Sequence, residues 1–166
     1  MYVTNANSDT VSAVDTATDA VVRTLHVGGA GPGRQSLCSS PNAVTVSPNG
    51  RTLYVANASQ NAVAVVDVDS QPDAAVRGLI PTGWHPAAVA QDATGERLFI
   101  ASGYGFGSIA PAPPGQGRSY QDRVGVVSIL DVPNRSELAR FTKQVRENND
   151  VLLPVDDNGS ARDQPS

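Results

Sequence analysis

Several short words in this chain carry residue types that could do chemistry. "GWHP", Gly83 to Pro86, holds the only Trp and one of the two histidines. An imidazole there could serve as a general base or acid near neutral pH. No acid stands near it in sequence; the Trp reads as packed toward a neighbouring unit and Pro86 as fixing where a strand starts. His26 falls on a weak strand and reads as solvent-facing. Cys38 is the only cysteine, which excludes an internal disulfide and a thiolate cluster. With no base nearby in sequence, it does not read as a nucleophile.

Asp15, Asp67 and Asp131 suggest a ring of metal ligands. They close equivalent strands in successive copies of one unit, so they stay apart, and capping the following turn explains them better. No metal site and no cofactor is expected. "GGAGPGRQS", Gly28 to Ser36, approaches a phosphate-binding loop, but Arg34 and Gln35 stand where Lys and then Ser or Thr are needed, and no helical pattern follows. It reads as an elaborated loop with Arg34 as a contact residue. "GYGFGSIAPAPPGQGRSYQD", Gly103 to Asp122, is pliant through its glycines and kept irregular by its prolines. Tyr104, Phe106 and Tyr120 offer apolar contact, and Arg118 and Arg123 charged anchors. The candidate contact or docking residues are therefore Arg34, His85, Tyr104, Phe106, Arg118, Tyr120 and Arg123, with His85 facing a central funnel.

The elements that must position these residues are repeated. "PNAVTVSPNGRTLYVANA" (Pro41 to Ala58) aligns with "PAAVAQDATGERLFIASG" (Pro86 to Gly103), about 45 residues on. "MYVTNANSDTVSAVD" aligns with "LYVANASQNAVAVVD", which begins at Leu53. "GVVSILDV", Gly125 to Val132, is a third copy of the strand ending in Asp. Each unit reads as an inner strand, a turn of the "SPNG" type, a second strand, a polar turn, a third strand and a weaker fourth. Four short strands at this period are the pattern of a propeller blade. The expected fold is all-β: a partial β-propeller of about three four-stranded blades, followed by a short C-terminal helix and linker. The expected divisions are blades over 1–132, helix over 133–149 and linker or truncated tail over 150–166. In the helix, Ser136 is the expected cap, and Leu138, Phe141 and Val145 form an apolar stripe.

Composition narrows the classes of function. Of 166 residues, 40% are apolar and 17% charged, with a formal charge of -4, so the chain is no disordered acidic tail. The basic residues are scattered, and aromatics do not alternate with them, so no nucleic-acid partner is expected. No apolar run reaches membrane-spanning length.

The words "MYVTN", "LYVANASQNAVAVVDV", "SPNGRTLYVAN" and "PTGWHPAAVA" resemble the YVTN (YncE-like) family of propeller repeats over residues 1–132. The resemblance implies a seven-bladed ring and a periplasmic or secreted parent protein. "DRVGVVSILDVPNRSELARFTKQVRENN" resembles the end of the propeller that precedes an alkaline-phosphatase-superfamily phosphoesterase domain. Three blades do not close a ring, so the chain reads as a fragment. Its expected partners are the remaining blades and a downstream phosphoesterase domain of the same polypeptide. The expected function is a non-catalytic scaffold or binding module, not an enzyme in itself. The alternatives are an accessory domain of a metal-dependent phosphoesterase and a lactonase-like propeller enzyme. The inner strands "AVTV" and "AVAQ", poor in Glu, Asp and His, speak against the last.

Overall fold

The computed structural model describes residues 1–28, 38–69, 75–105 and 124–150. These form three antiparallel sheets and one helix. The first sheet contains β1 (Tyr2–Asn5), β2 (Thr10–Asp15) and β3 (Ala20–His26). The second contains β4 (Pro41–Val46), β5 (Thr52–Asn57), β6 (Ala62–Asp67) and β7 (Ala75–Pro81). The third contains β8 (Pro86–Gln91), β9 (Arg97–Ser102) and β10 (Val126–Asp131). Strands neighbour in chain order within every sheet. This is the partial propeller expected: one blade without an inner strand, one complete, and one without an outer strand among the described residues.

Register repeats as the sequence does. Tyr2 faces Ala13, Tyr54 faces Val65 and Phe99 faces Ile129. The second sheet lies between the other two, so both of its faces are covered and β6 is buried from Ala62 to Val66. Leu53, Val55, Ala64 and Val66 pack with Val11 and Leu25 of the first sheet and with Val27 just after it. Tyr54, Ala56, Val63 and Val65 pack with Val89, Leu98 and Ile100 of the third. Each fully buried Val, Leu or Ile among them contributes about 1.5–3 kcal/mol. The terminal sheets have one uncovered face, and β10 alternates accordingly, with Val127 and Ile129 exposed.

Helix α1 (Arg135–Asp150) follows β10 and lies along β7. Its N-cap is Asn134, not Ser136 as expected. Asn134 Oδ1 accepts the backbone N–H groups of Ser136 and Glu137, while Glu137 Oε2 accepts the Asn134 N–H at 2.9 Å. That is a reciprocal capping box. The expected stripe packs on the propeller's own side: Leu138 and Phe141 join the second–third sheet core and Val145 the first–second. Gly78 permits this. A Cβ there would lie 2.6 Å from Leu138 Cγ and from Thr142 Oγ1. The Leu79 N–H, on the outer strand, instead donates to Thr142 Oγ1 at 2.9 Å.

Candidate functional site

The site grows out of a repeated junction between blades. In the first blade a 3-10 turn, Ala6–Ser8, is followed by Asp9 in the left-handed conformation (φ 55). In the second, Ala58–Gln60 is followed by Asn61 (φ 49). Asp and Asn tolerate this region better than most residues. The residue just before each inner-strand proline is left-handed as well: Ser40 (φ 47) before Pro41 and His85 (φ 57) before Pro86.

The two strained positions meet. Asp9 Oδ1 accepts the N–H of Ser39 (2.7 Å), the hydroxyl of Ser39 (2.8 Å) and the N–H of Ser40 (3.1 Å). Asn61 Oδ1 accepts the His85 N–H at 2.9 Å. Behind each pair runs the same backbone ladder. Ala58 N–H donates to Ser40 O and Ser59 N–H to Ser39 O; Gly103 N–H donates to His85 O and Tyr104 N–H to Trp84 O. The strain at His85 is therefore a property of the blade frame, because Ser40 shares it.

What differs is the side chains. Ser39, Ser40 and Ser59 at the first junction become Trp84, His85 and Tyr104 at the second. The rings of His85 and Tyr104 stack, with centroids 4.8 Å apart and planes 21° from parallel. Asn42, at the start of β4, reaches across so that its Nδ2 lies 3.5 Å from His85 Nε2. The amide donates in this contact when Nε2 carries no proton. Its counterpart in the third blade is Ala87. Trp84 is 53% exposed, not packed toward a neighbouring blade as expected, because its backbone is drawn onto Gly105, whose carbonyl accepts the Trp84 N–H at 2.6 Å. Gly83 allows that crossing, since a Cβ there would lie 2.5 Å from Gly105 O.

Of the residues expected from sequence, the structure brings His85 and Tyr104 together. Arg34, Phe106, Arg118, Tyr120 and Arg123 lie outside the described residues. Asn42 and Asn61 escaped the sequence reading, although Asn61 aligns with Asp9 and an Asx residue at both places was the available signal. Among the described residues, no group of three His, Cys, Asp or Glu is placed to hold a metal ion. Asp15 and Asp67 cap the turns that follow them, accepting the N–H of Ala17 (2.8 Å) and Asp69 (2.9 Å). Asp131 pairs with Arg97. Cys38 and His26 are exposed. Burial pushes the Tyr54 phenol above its ordinary range, with a hydrogen bond from the Gln91 side chain opposing it.

Sheets laid side by side around junctions of this kind define a β-propeller. The chain belongs to the lactonase family of seven-bladed β-propellers, whose family model matches residues 1–137. No curated protein matches the chain significantly. Among solved structures it is similar to proposed 6-phosphogluconolactonases from Bacteroides fragilis (24% identity, TM-score 0.50, 61% of this chain and 28% of that one) and Bacteroides uniformis (22%, 0.50, 61% and 29%). It is also similar to a hydrazine synthase structure from Kuenenia stuttgartiensis (25%, 0.49, 61% and 25%). The chain thus spans less than a third of the length of these structures. No helix among the described residues is long and apolar enough to cross a membrane.

This membership corrects three expectations. The family is not the YVTN repeat family: the shared words encode strands and turns that any blade of this kind needs, such as the left-handed Gly50 and Gly95 (φ 75 and 78) closing the first turn. Neither the non-catalytic scaffold nor the assignment of the chain as no enzyme stands, because the family is one of lactonases. The middles of the inner strands, "AVTV" and "AVAQ", hold no Glu, Asp or His. The polar groups Asn42 and His85 stand at or just before their starts.

Proposed function

We propose that the protein opens lactone rings by hydrolysis, with His85 as general base at the end of the ring where the inner strands begin. One observation carries this: an imidazole occupies, at the second junction, the position that a serine hydroxyl occupies at the first. Family membership supports the reaction class. In the step, a water oxygen bonds to the lactone carbonyl carbon while Nε2 of neutral His85 takes a proton from that water. The carbonyl π pair moves onto its oxygen. The intermediate collapses by breaking the ring C–O bond, and the proton on Nε2 passes to the departing oxygen. The product is a hydroxy acid, which releases its carboxyl proton to solvent. The Tyr104 ring, stacked on the imidazole, screens that side of it from water.

Further blades of the same ring are the partners this function requires, since an open ring leaves sheet edges unpaired. A phosphoesterase domain is not required by it. The test is hydrolysis of a panel of γ- and δ-lactones by the full-length protein, followed by pH-stat titration. His85→Gln should lower kcat about 10²-fold or more with KM little changed, the usual share of a general base. Wild-type turnover in that variant would place the chemistry elsewhere.

A further inference from the structure

We infer that Asn42 is a second catalytic residue of the His85 site, its side-chain N–H binding the carbonyl oxygen of the lactone as negative charge collects there. This rests on the hydrolytic function proposed above. Asn42 is exposed at the start of β4, and the equivalent position in the next blade, Ala87, has no polar side-chain atom. The amide therefore belongs to this junction and not to the blade pattern. At 3.5 Å its contact with Nε2 is at the long limit of a hydrogen bond, so the donor is close to the base yet weakly engaged.

Two consequences follow from that placement. An N–H that faces Nε2 requires a lone pair there, which leaves the imidazole proton on Nδ1. That is the tautomer in which Nε2 can accept a proton from water. When a lactone arrives, the same N–H turns a short way from Nε2 to the carbonyl oxygen, where a neutral donor aimed at developing charge is most effective. Among the described residues of the three sheets, carboxylates do not oppose this charge. Asp15, Asp67, Asp92 and Asp131 lie toward the opposite ends of the strands, and Asp9 is bound to Ser39 and Ser40 at the other junction. The titratable ring packed on His85 is Tyr104.

In the full-length protein the ring nitrogens of His85 can be read by long-range ¹H–¹⁵N spectra, with His85→Gln giving the assignment. The expected result is neutral His85 with its proton on Nδ1 in the wild type. In Asn42→Ala the proton should move toward Nε2, and in Asn42→Asp, which offers Nε2 only acceptors, it should sit there. In the full-length protein Asn42→Ala should lower kcat about 10²-fold, the usual loss for one oxyanion donor, with KM little changed. A wild type already protonated on Nε2, or an unchanged kcat in Asn42→Ala, overturns the assignment. A wild type that opens no lactone overturns the hydrolytic function and the oxyanion role with it. The spectra still decide separately whether Asn42 sets the tautomer.

Discussion

The ring of Tyr104 lies on the imidazole of His85 at 4.8 Å because their backbones are tied, Gly103 N–H to His85 O and Tyr104 N–H to Trp84 O. The ladder sets the two Cα positions side by side, and the stack itself favours the rotamer that holds the imidazole beside Asn42. An aromatic pair of this kind is worth about 0.5–1.5 kcal/mol. Tyr104→Ala should therefore lower kcat about threefold to tenfold, whereas Tyr104→Phe, which keeps the ring, should stay near wild type. Steady-state kinetics on both variants of the full-length protein decide this.

The junction latches predict an asymmetry in stability. Asp9 Oδ1 receives three donors and Asn61 Oδ1 receives one from His85, although both do the same job at successive junctions. Truncating Asp9 leaves two backbone N–H groups and a hydroxyl without their acceptor, and each of these part-buried orphans costs about 1 kcal/mol. Urea denaturation should show Asp9→Ala less stable than wild type by about 2–4 kcal/mol on that scale. Asn61→Ala should lose about a third as much, and Asn61→Asp, which copies Asp9, should be tolerated. Equal losses in the two alanine variants would contradict the latch assignment.

The blades were legible in the sequence because a repeat states its period outright. Tyr2, Tyr54 and Phe99 align by offset, and the structure puts each opposite the equivalent partner. The site was legible only in part. His85 and Tyr104 stood out as rare residue types, but their meeting depends on a ladder between two loops that share no periodic pattern. Asn42 was hidden because a single Asn after a proline has the composition of a turn. The cap of α1 was misplaced by two residues for a related reason: Asn134 and Ser136 both satisfy a capping pattern, and only the reciprocal bond from Glu137 selects between them.

Gly78 should be the least replaceable position beneath α1. The Cβ of Gly78→Ala would fall 2.6 Å from both Leu138 Cγ and Thr142 Oγ1. Leu138 can shift, but Thr142 is fixed by the Leu79 N–H and by its own bond to Leu138 O. Overpacking of this kind costs about 1–3 kcal/mol. Hydrogen exchange should report it as faster exchange in α1 amides, with the two outer sheets unchanged. Adding Leu138→Ala should recover only part of the loss, since Thr142 remains in the way.

Asp92 gives the chain an acid-sensitive turn. The backbone N–H of Arg97 is the main cause that holds its carboxyl below the usual range; desolvation opposes it, and the Thr94 hydroxyl and the N–H groups of Glu96 and Gly95 add to the lowering. A depressed folded-state pKa means that the unfolded chain binds the proton more readily, so this contribution is present above the unfolded value near 3.8. It is lost as pH falls through the folded value below that. Asp92→Asn has no such titration. Its stability deficit should therefore be largest at neutral pH and shrink steadily as the solution is taken below about pH 4. Denaturation curves for wild type and variant from pH 7 down to pH 2.5 test this. A deficit that stays constant across that range would mean that the turn is held by the shape of the side chain and not by its charge.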